Sequence, residues 1–365
     1  MRRAILTAFF CLTVVGGAAA QQQAPGEVAH ANQGTVGVIT GMEGGTYAQT
    51  AADLTILDDG TLRVLPVIGK GSLQNLSDIL YLRGIDIGFV QADALTYAKQ
   101  HNLFPGLTQN IRYIAKLYDE EVHILARKDI ESLDALNGQR VNVDVEGSGS
   151  AMTAQILLDA LGIKAKVEHQ KQVNGLEELK RGEIAAIIQV SGAPMPLLTR
   201  LDNTSGLHFL PIELNPTLAQ TYLPDQFTHD TYPALVPADA SIPTLAVGDV
   251  MAVFAWSPHT ERYTKVARFV DAFFSKFDQF LQPPRHPKWR EVNLTAEVPG
   301  WTRFQAAQDW LSQHATAKVA QAATQARFAA FLSDAKAGTN LSDADKAELF
   351  QQFLAWDKQR QAAHQ

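Results

Sequence analysis

The sequence has 365 residues, a formal net charge of −7 and one cysteine, Cys11. Because acidic residues outnumber basic ones and the basic residues are scattered, the composition argues against nucleic acid as a partner. The length predicts two domains or one large one. Cys11 lies in the N-terminal leader described next, so the mature chain would have no disulfide, cysteine nucleophile or thiolate metal ligand.

Residues 1–20, "MRRAILTAFFCLTVVGGAAA", have the pattern of a secretory signal peptide. Two arginines precede a short apolar run, which ends in three alanines before a polar stretch. We expect cleavage near Ala20, which takes the formal charge from −7 to −9. No later stretch approaches the roughly 20 apolar residues that a membrane helix needs. The mature protein is therefore expected in the periplasm, with residues 21–33 as a flexible lead-in.

From residue 35 onward, short runs rich in β-branched residues alternate with helix-period segments. This alternation predicts an α/β protein with parallel strands and helices on both faces of the sheet. Ligands of such sheets bind in the loops at the carboxyl ends of the strands. The strand candidates are residues 35–39, 62–67, 85–90, 111–117, 122–127, 140–145, 164–168, 183–190, 207–212 and 244–256.

Two glycine-rich corners, about a hundred residues apart, resemble each other. "VITGMEGGTYAQTAADL" and "VNVDVEGSGSAMTAQILLDAL" each run from an apolar strand through small residues into a helix. Glycine permits positive φ and close approach, and the free N–H groups of a helix N-terminus favour an anion. The alternative is an ordinary tight loop with a Thr or Ser cap. If each corner opens one α/β lobe, the two helix N-termini face one cleft.

Two extended segments are suited to join such lobes. Residues 112–127 link two strand candidates with no helix between them, and a return crossing is expected within residues 223–247. Two crossings make a hinge. After residue 285 an irregular, Trp-bearing stretch leads into helical patterns at about 303–336 and 343–360. The acidic run 119–121 adjoins the first crossing, which would place Glu120 near the cleft.

The sequence contains no convincing catalytic signature. "GKGSLQ" and "GSGSAM" lack the third glycine of a dinucleotide fingerprint, and the first also lacks the Ser or Thr that follows a P-loop lysine. Ser148 is outside a G-x-S-x-G elbow, and the ten histidines are scattered. We therefore predict that the protein is not an enzyme and has no cofactor or metal site.

Seven ordered segments resemble the TAXI group of solute-binding proteins, which serve tripartite ATP-independent periplasmic (TRAP) transporters. The resemblance covers roughly residues 34–257. Its segments are "GGTYAQTAADL", "GKGSLQNL", "IDIGFVQADALTYA", "IRYIAKLYDEEVHILAR", "LNGQRVNVDVEGSGS", "IAAIIQVSGAPMPLL" and "IPTLAVGDVMAVF".

The resemblance implies a periplasmic binding protein type II-like fold, with two doubly wound α/β lobes joined by crossing hinge strands. The implied boundaries are lobe 1 at residues 34–120 and 224–285 and lobe 2 at 121–223. Residues 286–365 would form an irregular segment and a helical C-terminal extension. The protein would be a monomer that captures a small anionic or zwitterionic organic solute and docks transiently on TRAP membrane subunits. A periplasmic sensory protein that presents the solute to a membrane receptor is the alternative.

The resemblance also implies the ligand-binding positions. They are Gly44, Gly45, Thr46, Tyr47, Gln91, Gly147, Ser148, Gly149, Ser150, Ser191, Gly192 and Ala193. The chain departs from the group's pattern in having Ala151 and Met152 where an acidic residue is usual, and Asp119 where proline is usual. The ligand class therefore stays open between dicarboxylates or keto acids and amino acids such as glutamate.

Overall fold

The computed structural model describes residues 33–315. The predicted signal peptide, nearly all of the lead-in and the helical pattern at 343–360 lie outside the described residues. The ten strands are β1 Thr35–Ile39, β2 Arg63–Val67, β3 Ile87–Gln91, β4 Ile111–Arg127, β5 Arg140–Asn142, β6 Lys166–Glu168, β7 Ala186–Ser191, β8 Leu207–Phe209, β9 Leu223–Thr228 and β10 Ser241–Phe254. The α-helices are α1 Thr46–Asp53, α2 Ser72–Tyr81, α3 Ala92–Gln100, α4 Leu107–Asn110, α5 Gly149–Leu161, α6 Gln172–Lys180 and α7 Glu261–Ser275, and residues 305–315 are also helical.

All ten strands belong to one mixed sheet in the order β2-β1-β3-β10-β4-β7-β5-β6, with β8 on β4 and β9 on β10. At one end β1 lies parallel to β2 and β3, and at the other β5 lies parallel to β6 and β7. The long strands β4 and β10 are antiparallel to their neighbours and run between these two parallel groups. The fold is thus periplasmic binding protein type II-like, with crossing strands as predicted.

Four apolar clusters fill the two lobes, and one cluster of lobe 1 also includes Met152 of lobe 2. Lobe 1 comprises residues 33–119 and 248–315, and lobe 2 comprises residues 122–245. The first half of β4 pairs with β10 in lobe 1, whereas its second half pairs with β7 in lobe 2. Each lobe therefore completes its sheet with part of a strand that it shares with the other lobe. The strands cross between the lobes at residues 120–121 of β4 and 246–247 of β10, which pair with each other.

The lobe boundaries differ from those expected at two places. The return to lobe 1 was expected at residue 224, but the structure keeps residues 224–245 in lobe 2. Phe227, Tyr232 and Val236 are buried there in one cluster with Leu125 and Ile187. The crossing itself is β10 alone, which pairs with β9 before it reaches lobe 1.

The start of the expected C-terminal extension is part of lobe 1. Trp289, Phe304 and Ala307 are buried against the same cluster as α1 and α7. The Trp289 indole nitrogen donates to Asp53 Oδ2 at 2.9 Å, and the Tyr113 carbonyl accepts from the Phe304 N–H at 2.7 Å. These contacts bind the irregular stretch to the body of the lobe.

Candidate ligand-binding site

The candidate site is a pocket between the two lobes, at the carboxyl ends of the parallel strands. Its walls come from the loops that follow β1, β2, β3, β5, β6 and β7, and the crossing residue Glu120 also lines it. The pocket has a free volume of about 50 Å³, several times the roughly 10–15 Å³ that one water molecule needs. In this arrangement of the lobes it suits a small organic solute.

Five helices begin at residues that line this pocket. The first residues of α1, α2, α5 and α6, together with Gln91 before α3, all face it. Each helix N-terminus carries the equivalent of about half a positive charge, and its first N–H groups have no partner within the helix. Their convergence favours an anionic group on the ligand.

The two adjacent glycines of the first corner have different structural roles. Gly44 has φ +82°, and a Cβ there would meet no atom within 4 Å, so it is required by the turn and not by close packing. Gly45 is the extended N-cap of α1 and lines the pocket. Thr46, the first residue of α1, is buried beside Ser191 of lobe 2, with 3.1 Å between their hydroxyl oxygens.

The Tyr47 side chain lines the pocket, but its hydroxyl is committed elsewhere. The hydroxyl donates to Asp249 Oδ1 at 2.6 Å, and the ring contacts Phe89 with centroids 5.5 Å apart. Burial, followed by the charges of Asp249 and Glu120, raises the pKa of Tyr47 well above its usual value. Tyr47 therefore offers the ligand its ring, while its polar end binds the wall of lobe 1.

The serine hydroxyls of the second corner are also engaged within lobe 2. Ser148 is the N-cap of α5, and its Oγ accepts from the Ala151 N–H at 3.1 Å. Ser150 Oγ accepts from the Val190 N–H at 3.0 Å, which ties the helix to β7. The groups that this corner leaves for a ligand are thus the backbone N–H groups at the start of α5.

Replacing Ser148 by alanine tests whether its hydroxyl serves as a helix cap or contacts the ligand. Loss of an N-cap costs about 1 kcal/mol, which we expect as a 2–4 °C fall in melting temperature. The backbone N–H groups remain, so ligand affinity should fall less than fivefold by calorimetry. A loss of more than tenfold with an unchanged melting temperature would instead mean that the hydroxyl contacts the ligand directly.

Gln91 is held in place by Ser72. Ser72 Oγ donates to Gln91 Oε1 at 2.9 Å and accepts from the Gln91 N–H at 3.0 Å, and both residues are buried. Gly71, the N-cap of α2, has φ +111°, a conformation that glycine adopts without strain. This second turn of lobe 1 positions the Gln91 amide against lobe 2.

The two lobes touch across the pocket. Besides the Thr46 to Ser191 contact, the Gln74 N–H donates to the Gly147 carbonyl at 3.3 Å. A Cβ on Gly149 would lie 1.9 Å from Gln91 Oε1. The structure is therefore a closed arrangement, in which glycine at position 149 allows α5 to approach lobe 1.

The structure places eight of the twelve predicted residues on the pocket wall. They are Gly45, Thr46, Tyr47, Gln91, Ser148, Gly149, Ser150 and Ser191. The other four lie outside it. Gly44 and Gly147 are the positive-φ residues of the turns, Gly192 packs against Thr46 and Lys288, and the Ala193 N–H donates to Glu121 Oε2 at 2.6 Å.

Nine further residues line the pocket and were absent from the predicted set. They are Gly41, Met42, Lys70, Gly71, Ser72, Glu120, Asp144, Gln172 and Val190. Lys70 to Ser72 belong to the "GKGSLQ" corner, whose strand-to-helix position was the available signal. Gln172 carried no signal, because only the folding of α6 onto β5 brings it to the pocket.

Two buried carboxyl groups face this pocket. Asp144, at φ +74°, has Oδ2 3.4 Å from Gln172 Nε2, and burial raises its pKa to about 6. Its Oδ1 is buried and has no hydrogen-bond partner among the described residues. Burial, then the charges of Asp249 and Glu121, raises the pKa of Glu120. These carboxyls coexist with the positive helix ends, so the pocket presents groups of both signs.

Within residues 33–315 no cluster of three or more His, Cys, Asp or Glu side chains is arranged to hold a metal ion. Over the same range, no helix is long and apolar enough to cross a bilayer.

A family model described as the NMT1-like family matches residues 38–295. This match spans both lobes and every residue that lines the pocket. The chain belongs to the NMT1-like family. Its membership agrees with the sheet topology and with the type II-like fold class.

Solved structures similar to this NMT1-like protein share little sequence with it. One is described as a periplasmic transporter, with 11% identity and a TM-score of 0.47 over 78% of this chain and 94% of that one. A second, Tv2483 bound to L-arginine, has 12% identity and a TM-score of 0.43 over 74% of this chain and 97% of that one. A mutant of ArgBP from T. maritima has 14% identity and a TM-score of 0.38 over 70% of this chain and 93% of that one.

Proposed function

We propose that this NMT1-like protein is an extracytoplasmic solute-binding protein that captures a small organic anion or amino acid between its lobes. The observation that carries the proposal is the convergence of five helix starts, from both lobes, on one pocket between the lobes. A dicarboxylate, a keto acid or a glutamate-like amino acid would place an anionic group on the free N–H groups of these helices.

Capture would couple to hinge closure. A solute held by both lobes favours the closed state by its difference in affinity for the two arrangements. The crossings in β4 and β10 are the only strand connections between the lobes within the described residues. A rotation about them would open the contact between Thr46 and Ser191 and expose the pocket.

We further propose that the protein is the TAXI-type subunit of a TRAP transporter, exported to the periplasm as a monomer. The ordered segments of the sequence and the signal-peptide pattern support this assignment. In this role the closed, loaded protein would dock on the membrane subunits and release its solute as the lobes open.

A thermal-shift panel tests the proposal. Protein recovered from a periplasmic extract, with an intact mass matching residues 21–365, is unfolded and refolded to remove any bound solute. It is then melted with dicarboxylates, keto acids, amino acids and sugars. A ligand at 100 times its dissociation constant adds about 2.7 kcal/mol to the free energy of unfolding. We expect a raised midpoint with one class of small acid, and no shift with any member would contradict solute capture.

A further inference from the structure

The acidic run Asp119, Glu120 and Glu121 lies on β4 where the strand passes between the lobes. The first and last residues of the run each form an ion pair with a lysine. Lys116 Nζ lies 2.7 Å from Asp119, and Lys288 Nζ lies 2.5 Å from Glu121. Glu120 has no ion pair among the described residues, although it is only 4% exposed, and it lines the pocket. The middle carboxyl of the run is thus left for whatever occupies the pocket.

The groups around Glu120 make this part of the pocket acidic. Asp249 on β10 and Glu121 on β4 add negative charge, and both raise the pKa of Glu120. The Tyr47 hydroxyl donates to Asp249 at 2.6 Å, and its hydrogen bonding also lowers the pKa of Glu120, so one neutral hydroxyl is shared between the two carboxyl groups. Lys288 favours the charged form of Glu120 but is bound to Glu121 and, at 2.9 Å, to Glu291. A cationic group on a ligand would supply the partner that this cluster lacks.

The remaining wall has the opposite character. The starts of the pocket helices carry partial positive charge, and Lys70 is the one lysine or arginine among the residues that line the pocket. Lys70 is exposed, and it has no ion pair among residues 33–315, whereas Glu120 is buried at the crossing strand. The lysine and the carboxyl group therefore lie at different depths of the same pocket.

We propose that Glu120 is the specificity-determining residue of this pocket and that it selects small amino acids, by binding their ammonium group, over the matching keto acids and dicarboxylates. The carboxylate of the ligand takes the helix N-termini, and its ammonium group pairs with Glu120. This inference rests on the proposed function, and it resolves the choice of ligand class that the sequence leaves open.

The test compares acids that differ only in the amino group. Calorimetry at pH 7.5 on the mature full chain uses glutamate against 2-oxoglutarate and alanine against pyruvate. We expect the amino member of at least one pair to bind tenfold or more tightly than its keto partner. Glu120→Gln should weaken the amino member by about tenfold to a hundredfold, in line with the loss of a charged hydrogen bond. The keto member should change by less than threefold.

Asp119→Asn is the matched control, because it removes the same charge one residue away. Asp119 is half-buried, pairs with Lys116 and does not line the pocket. It should leave the affinities for both members of a pair within twofold. A Glu120→Gln variant that keeps the amino-acid affinity of the wild type would overturn the role of Glu120.

A second measurement needs no substitution. In the empty pocket, burial favours the protonated form of Glu120, so pairing with an ammonium group should release a proton. Calorimetry in buffers of different ionisation enthalpy should detect this release with the amino acid and not with the keto acid. If a keto acid binds as tightly as its amino partner and takes up a proton on binding, the inference about Glu120 is overturned. Solute capture itself would still hold. Failure of all four acids and of the wider panel to bind would contradict both.

Discussion

Replacing Gly149 by alanine should weaken ligand binding by roughly tenfold to a hundredfold, because the added methyl group keeps the lobes apart. Its Cβ would lie 1.9 Å from Gln91 Oε1 and 2.8 Å from Ser72 Oγ, both across the pocket in lobe 1. The Gln91 side chain cannot turn aside freely, since it is buried and its Oε1 accepts a hydrogen bond from Ser72 Oγ. Overpacking of this kind costs about 1–3 kcal/mol.

The substitution should leave lobe 2 itself intact. Gly149 is the first residue of α5 and has no positive φ, and alanine favours a helix over glycine by about 1 kcal/mol. The unliganded variant can relieve the overlap by opening at the crossings. We therefore expect a circular dichroism spectrum like that of the wild type, together with weaker binding by calorimetry.

Gly45→Ala is the matched control in the first corner. Gly45 also lines the pocket and also stands at the start of a helix, but its Cβ would meet only Met42 O, at 3.2 Å within lobe 1. Small-angle scattering should show contraction on ligand addition for the wild type and Gly45→Ala, and little for Gly149→Ala. Full contraction of Gly149→Ala would show that closure does not require the close approach of α5 to Gln91.

Lys288→Met should destabilise the protein by about 3 kcal/mol at pH 8. Lys288 and Glu121 form an ion pair whose side chains are only 4% and 7% exposed. Removing one partner of a buried pair typically costs about 3–5 kcal/mol, because the remaining charge is unpaired. Methionine keeps most of the volume of lysine, so the loss reports on charge more than on packing.

The pH dependence of this loss identifies its cause. Burial raises the pKa of Glu121 to about 7 even with Lys288 beside it, and without the lysine it should rise further. Above about pH 4.5 the folded variant keeps a proton on Glu121 that the unfolded chain releases. The free energy of unfolding of the variant therefore falls as pH rises. In urea unfolding, the difference in free energy of unfolding between the variant and the wild type should be smallest near pH 5 and largest near pH 8.

Two further variants complete this experiment. Lys116→Met breaks a partly exposed pair with Asp119 and should cost less than about 1 kcal/mol. Glu121→Gln combined with Lys288→Met should recover much of the stability at pH 8, since no lone charge is then buried. A gap that is equal at pH 5 and pH 8, with no recovery in the double variant, would assign the loss to packing.

Local patterns were sufficient to predict most of the fold. The β-branched runs become strands, and the unbroken extended character of residues 112–127 predicts a strand shared by both lobes, which β4 is. Strand β9, "LPDQFT", was missed because its pattern is polar and contains proline, and half of its residues are exposed at the edge of the sheet. Whether residues 224–245 pack on one lobe or the other depends on long-range contacts of Phe227 and Tyr232, which periodicity does not encode.

The site was predictable only in part. Strand-to-helix corners such as that of Ser148 and Gly149 are local features, so the sequence locates them. The partner that each polar group binds depends on residues far away in the sequence. Only the packed structure directs the Tyr47 hydroxyl to Asp249 and brings Gln172 to the pocket.

By itself the sequence determined the α/β alternation, the two glycine corners and the crossing strand, because each depends on neighbouring residues and on backbone geometry. Only the tertiary structure decided which carboxyl of the run 119–121 remains unpaired. That outcome depends on Lys288, which lies 167 residues beyond Glu121 and becomes its partner when the chain folds back onto lobe 1. Contacts between residues so far apart in the sequence arise from the packing of whole helices and strands, so no local pattern predicts them.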